Sequence, residues 1–233
     1  MDGNRQQDAV LHAAGRIRLM RNGNVVILIS LAVVIFNAFL ALISALTDPL
    51  GFFLRGGTEM VSVFLLLSAV AVVVGEIMYL VGLYGLRNIR PEYKSAFWWE
   101  IGLLIFGIAI NVVGRKTILG QVLDAVRTIL SVAVVWLVIK GTKYLMENLD
   151  GEAILRRGEV VWRLTLVSAV PGAVYLLIPV GNEMGPGLIA MLVVGVILSV
   201  FAFVAAIYYV LYLGQASNAL NQAGSAMDEA TPL

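Results

Sequence analysis

Six long apolar runs, separated by short polar segments, leave few folds open to this chain. They cover residues 25–46, 60–86, 97–113, 117–139, 160–180 and 187–213. A helix needs about 20 apolar residues to cross the hydrocarbon core of a bilayer, and each run has about that length. Backbone N–H and C=O groups must be paired within the segment in hydrocarbon, so such runs form helices. The sequence therefore predicts an all-α, polytopic integral membrane protein with six transmembrane helices.

The composition agrees with this interpretation. Hydrophobic residues make up 60% of the 233 residues and charged residues only 13%, with a mean hydropathy of +0.92. A soluble domain carries about 25% charged residues. The apolar surface of this chain is therefore expected to face lipid, with residues 25–213 forming the transmembrane domain.

Basic residues lie mainly on one side of the predicted helices. That side holds Arg5, Arg16, Arg18, Arg21, Arg87, Arg90, Lys94, Lys140, Lys143, Arg156, Arg157 and Arg163. The alternate connections hold only Arg55, Arg115 and Lys116. Because cytoplasmic loops are enriched in Lys and Arg, both termini are predicted to face the cytoplasm. We expect a multi-pass protein of the cytoplasmic (inner) membrane of a prokaryote.

The two terminal segments are predicted to differ. In residues 1–24, apolar side chains at spacings of three and four predict an amphipathic helix on the membrane surface. Those side chains are Val10, Ala13, Ala14, Ile17 and Met20. The alternative to a lipid-sensing role is that the same pattern arises only from the enrichment of basic residues on the cytoplasmic side. Residues 214–233 are polar and lack apolar periodicity, which predicts a disordered tail.

Several classes of chemistry are not expected. The chain has no cysteine and a single histidine, His12, so neither thiolate chemistry nor a histidine metal site is predicted. A net charge of +1 gives no basic domain for nucleic acid. No HExxH motif occurs, and no predicted span holds a histidine to activate a nucleophile. The sequence predicts no enzyme activity and no cofactor.

Ionisable residues inside the predicted spans are the candidates for function, because each costs a few kcal/mol to insert. Glu76 lies near mid-bilayer by its distance along the helix from Arg87. The fourth span has a polar stripe at spacings of three and four, made by Gln121, Asp124, Arg127, Thr128 and Ser131. We therefore predict a network of Glu76, Arg127 and Asp124, with Asn37 and Asn111 at similar depth.

Three interpretations of this network remain open. It is a structural ion pair that sets helix register, or a transport element whose partners alternate. In the third interpretation the fourth span begins later, and Glu76 is protonated and without a partner. Pro171 interrupts the hydrogen bonding of the fifth span and is the predicted hinge.

Small residues in the first and sixth spans predict close helix packing, within the chain, with a second copy or with another membrane protein. The most favoured function is a non-enzymatic accessory or scaffold subunit of a membrane complex. The alternative is a transporter of a small solute or ion, coupled to protons, that uses Glu76 and Arg127. The lipid bilayer is the one partner that both functions require.

Overall fold

The computed structural model describes the backbone of residues 2–47, 57–114, 117–147, 152–177 and 186–229. Side chains are described over 7–37, 62–114, 117–147, 152–177 and 194–227. The helices are α1 (Asp2–Thr47), α2 (Gly57–Leu86), α3 (Pro91–Val113), α4 (Ile118–Met146), α5 (Glu152–Leu176) and α6 (Pro186–Glu229). All six are long and apolar enough to span a membrane, which confirms the all-α class and the six candidate spans predicted from the sequence.

The helices form a closed ring in chain order. Each helix packs against the next one along the chain, and α6 returns to pack along α1. The contact between α2 and α3 is the least extensive of these, and α4 also touches α6. In this ring α2 and α6, which are far apart in sequence, both flank α1.

The two ends of the ring differ in packing. We call the end at which α1 begins the basic end, because it carries Arg16, Arg87, Lys94, Lys140 and Arg156. The large side chains that are fully buried lie mostly near this end: Ile17, Met20, Leu83, Leu86, Tyr93, Met146, Tyr212, Leu213 and Leu220. Toward the opposite end, α2 and α6 expose valine, leucine and isoleucine along most of their described length, as lipid-facing helices do.

Two glycines allow α1 and α2 to approach closely. A Cβ on Gly23 would collide with the carbonyl oxygen of Gly75, and one on Gly75 would lie 2.7 Å from the carbonyl oxygen of Gly23. The next contact toward the basic end is Gly82, where a Cβ would lie 2.9 Å from the carbonyl oxygen of Arg16. Backbone packed against backbone in this way fixes the distance between the two helices.

The N-terminal segment differs from the surface helix predicted from the sequence. Residues 2–24 continue without a break into the span, within a single helix of 46 residues, about 69 Å long at 1.5 Å per residue. Ala13, Ala14, Ile17 and Met20 are buried in the protein core and do not lie against lipid headgroups. The N-terminal segment does have the predicted apolar face, but this face packs against α2 and α6.

The C-terminal segment differs from the disordered tail predicted from the sequence. Helix α6 continues to Glu229, and Ala216, Ser217 and Leu220 are fully buried. The Ser217 hydroxyl donates a hydrogen bond to the carbonyl oxygen of Ala14, at 2.9 Å. Ala216, Leu220 and Gly224 recur at spacings of four, so small and apolar side chains form one face that packs on α1. Residues 230–233 of the predicted tail lie outside the described residues.

Pro171 lies inside α5, which continues through it to Leu176. Its ring is exposed on the surface of the helix. The hinge role proposed for Pro171 stays a prediction.

Candidate functional site

Glu76 and Arg127, both predicted to lie deep in the membrane, point into the ring. Glu76 shares a face of α2 with Tyr79 and Leu83, three and seven residues further on, and both of these are buried. The guanidinium of Arg127 lies across α3, with Cζ 3.6 Å from the position of a Cβ on Gly107. Gly107 therefore leaves the space that the arginine side chain occupies.

Glu100 completes this group. It lies on α3 seven residues before Gly107, on nearly the same helix face and about 10 Å away along the axis. Glu100 is close enough to both Glu76 and Arg127 for electrostatic interaction. We call Glu76, Glu100 and Arg127 the charge cluster. Sequence reasoning left Glu100 out of the network, although its seven-residue spacing from Gly107 placed the two on one face.

The charge cluster contains no close ion pair. Within the described part of the chain, the ion pairs closer than 4 Å are Lys140–Glu92, Arg156–Glu152 and Arg163–Glu159. Glu76 and Arg127 are not among them. Two carboxylates thus lie near one guanidinium without direct contact, so the cluster differs from a tight structural ion pair.

The other predicted members of the network form hydrogen bonds within their own helices. The Asn37 amide donates to the carbonyl oxygen of Val33 at 2.8 Å, and the exposed Asn111 amide donates to that of Gly107 at 3.0 Å. Asp124 is half-buried, and its carbonyl oxygen accepts a hydrogen bond from Thr128. Short polar side chains readily bond a carbonyl one turn back, which removes the need for a partner on another helix.

A hydrogen bond between two tyrosines lies beside the charge cluster and crosses the ring. The hydroxyls of Tyr79 on α2 and Tyr209 on α6 are 2.8 Å apart, and both side chains are buried. Glu100 is within electrostatic range of both tyrosines. We call this pair the first hydroxyl layer.

A second set of hydroxyls lies closer to the basic end, and we call it the second hydroxyl layer. The Thr142 hydroxyl donates to the carbonyl oxygen of Val138 at 2.8 Å, so Tyr93 donates its own hydroxyl hydrogen to Thr142, at 2.9 Å. Tyr212 donates to the carbonyl oxygen of Ile139 at 3.5 Å and also lies beside Thr142. The fully buried Tyr93, Thr142 and Tyr212 join α3, α4 and α6.

The sequence analysis did not identify these tyrosines as part of a site. Tyr208 is exposed, whereas Tyr209 and Tyr212 are buried. Tyr209, Tyr212, Ala216 and Leu220 follow spacings of three and four, which indicates a buried helix face. That periodicity was the signal available in the sequence.

Comparison with models of known protein families, with curated proteins and with solved structures finds no match. Across the described residues, no three histidine, aspartate or glutamate side chains are grouped as metal ligands would be. The geometry of the charge cluster and the hydroxyl layers is therefore the basis for the functional argument. Chemically, two carboxylates beside one guanidinium suit the binding of a cation or the exchange of a proton.

The first hydroxyl layer makes a testable contribution to stability. Replacing Tyr209 with phenylalanine leaves the Tyr79 hydroxyl buried without its partner, which is expected to cost about 1–3 kcal/mol. The double replacement of Tyr79 and Tyr209 removes both hydroxyls, so its cost is expected to be smaller than the sum of the single costs. Unfolding in detergent measures each variant, with the exposed Tyr208→Phe as control. Additive single costs would contradict a coupled pair.

Proposed function

We propose that this protein is a proton-coupled transporter of the prokaryotic cytoplasmic membrane, with its basic end and both termini in the cytoplasm. The observation that carries the proposal is the charge cluster, in which two carboxylates lie near one guanidinium without a close ion pair. The orientation follows from the positions of the basic residues.

The charge balance of the cluster favours uptake of a positive charge. With all three groups ionised, Glu76, Glu100 and Arg127 carry one excess negative charge inside the membrane. An uncompensated charge at this depth is unfavourable by about 3 kcal/mol on insertion scales. Binding a proton or a cation removes that excess, so the cluster is suited to alternate between a loaded and an empty state.

The separation of Glu76 from Arg127 supports transport over a purely structural role. A buried ion pair that sets helix register needs direct contact and further hydrogen bonds to offset desolvation. Groups that are near but not in contact exchange partners at lower cost. This argument reverses the order given by the sequence alone, in which the accessory subunit came first.

The accessory or scaffold subunit remains the second candidate, on a different observation. Ser199 and Ala202 are small, exposed residues on α6, and such positions let a helix of another protein approach closely. Gly195, one turn before Ser199, is instead covered by Tyr175 of α5, whose hydroxyl lies 2.9 Å from the position of a Cβ on that glycine. Only a short part of the small-residue face of α6 is therefore open to a helix of another protein.

A measurement of proton flux across the membrane of liposomes that contain the protein tests the proposal. Purified protein is reconstituted with a pH-sensitive dye inside, and a pH gradient is applied with and without a panel of small solutes. Proton movement is expected in the wild type and is expected to be lost in Glu76→Gln, which cannot take up a proton. Glu152→Gln is the control, because this exposed glutamate pairs only with Arg156 on the surface.

Each result of this experiment has a defined meaning. Flux that disappears in a folded Glu76→Gln protein, and persists in Glu152→Gln, supports transport through the charge cluster. Absence of flux in the wild type under every gradient and solute counts against transport. In that case, recovery of the protein in a stable complex with another membrane protein would support the accessory role.

A further inference from the structure

Hydroxyl groups are the main polar side-chain groups in the core between the charge cluster and the basic end. Around the two hydroxyl layers, Met20, Leu83, Leu86 and Leu213 are fully buried. A hydrated cation crossing this region would have to separate packed apolar side chains. A proton needs only a succession of groups that both accept and donate hydrogen bonds, and hydroxyls do both.

The two hydroxyl layers follow one another toward the basic end. Tyr209 of the first layer and Tyr212 of the second are one turn apart on α6, about 4.5 Å along the axis. Both belong to the same buried face. Tyr209 is within electrostatic range of Glu100 on one side and of Tyr212 and Tyr93 on the other. The layers thus extend from the charge cluster to the first turn of α3.

Glu92, the neighbour of Tyr93 in that first turn, has an unusual carboxylate. Its Oε1 atom lies 3.8 Å from the Lys140 ammonium, and its side chain is 13% exposed. Its Oε2 atom is buried with no hydrogen-bond partner, the one such side-chain atom among the residues that the structure describes. Leaving a buried acceptor unpaired is unfavourable, and a free carboxylate oxygen is also an atom at which a proton can bind. Lys140, 39% exposed, links this carboxylate to the surface.

We infer that protons pass between the charge cluster and Glu92 through the two hydroxyl layers, with Glu92 as the terminal proton acceptor at the basic end. This inference rests on the proposed transport function and specifies the path that its proton takes. At each hydroxyl, the oxygen accepts a proton from one neighbour and releases its own proton to the next. Tyr209 and Tyr212 share no hydrogen bond in the structure, so the step between the layers requires a side-chain rotation or the entry of a water molecule between the two hydroxyls.

The proton balance closes without any other reactant. A proton leaves a carboxyl group of the charge cluster, and one proton shifts along each hydroxyl. The final transfer requires a hydroxyl of the second layer to come within hydrogen-bond distance of Oε2 of Glu92, because that atom has no partner in the structure. Release from Glu92 into the aqueous phase at the basic end restores its carboxylate. Rotation of the hydroxyl groups then returns each donor to its starting direction.

The test uses single phenylalanine replacements in the full-length protein in liposomes. Tyr209→Phe removes a hydroxyl from the route, and the adjacent, exposed Tyr208→Phe is its matched control. We expect Tyr209→Phe to lower proton flux about a hundredfold per folded molecule, the scale of losing one positioned proton-transfer group, and Tyr208→Phe to leave it unchanged. Wild-type flux is expected to fall in D₂O, because every step of the route moves a hydron.

Glu92→Gln is the second variant, and it replaces Tyr209→Phe in the test if that protein does not fold. It retains the size of the side chain but cannot accept the proton, so it is expected to lower flux to a similar extent. A structural role alone would lower the thermal midpoint while flux per folded molecule stayed at the wild-type value.

The outcomes separate this inference from the proposed function. Wild-type flux that is lost in Glu76→Gln but retained in a folded Tyr209→Phe or Glu92→Gln protein overturns the route and leaves the transport function standing. Absence of proton flux in the wild type overturns both. Flux of another cation at the wild-type level in Tyr209→Phe also overturns the route, because that ion would be using a different path.

Discussion

Replacing Gly23 with valine is expected to lower the stability of the protein by about 3 kcal/mol, the upper part of the range for an overpacked core. The added side chain would collide with the carbonyl oxygen of Gly75, and its Cβ would lie 3.0 Å from the backbone nitrogen of Tyr79. Both of these are backbone atoms of α2, so no side-chain rotation relieves the overlap. The two helices would have to separate along their most closely packed stretch.

The matched control for this change is Gly102→Val. Gly102 also lies within a helix, and a Cβ there meets no atom within 4 Å. Both variants gain the same intrinsic helix propensity over glycine, so the difference between their thermal midpoints in detergent isolates the steric cost. Equal midpoints would contradict the close approach of α1 and α2 at Gly23.

Deleting residues 215–233 is expected to destabilise the protein strongly, although the sequence alone predicts a disordered tail. The deletion removes Leu220, whose burial is worth about 2 kcal/mol, and the hydrogen bond from Ser217 to Ala14, worth about 1 kcal/mol. It also uncovers Leu11 and Ala14 on α1, which lie against Gly224 and Ser217 in the complete ring.

A shorter deletion provides the control for this experiment. Removing residues 228–233 retains the buried side chain of Leu220. It also retains Gly224, at which α6 approaches α1 closely. Thermal unfolding and gel filtration in the same detergent compare the two truncated proteins with the full chain. If both truncated proteins matched the full chain, the packing of the last turns of α6 on α1 would contribute nothing to stability.

The number of helices, and their apolar character, could be predicted from the sequence because each span appears as a maximum in the local hydropathy. The lengths of α1 and α6 did not, because hydropathy reports contact with lipid and not helix formation. Residues 7–24 and 214–227 are polar on average, yet each has one small or apolar face, and these faces pack on each other. A packing partner more than two hundred residues away in sequence cannot be detected from hydropathy averaged over a short window.

For the site, the depth of a residue in the membrane could be predicted from the sequence, but the direction in which its side chain points could not. Counting residues at 1.5 Å each placed Glu76 and Arg127 at similar levels, and the structure brings both into the ring. Which helices are neighbours, and which face of each points inward, depends on packing between distant segments. Glu100 was overlooked for that reason, and Asn37 and Asn111 were included although each bonds a carbonyl of its own helix.

The pairing of α1 with α6 has a consequence for how the molecule is made. Helix α1 is synthesised long before α6, so one flank of α1, including Ala14, has no partner from α6 until Ser217 has been synthesised. Contacts of such long sequence separation form late and slowly. Closure of the ring is therefore a late step, and a chain interrupted before α6 presents the unpaired flank of α1 to chaperones and to the proteases that remove unfinished membrane proteins.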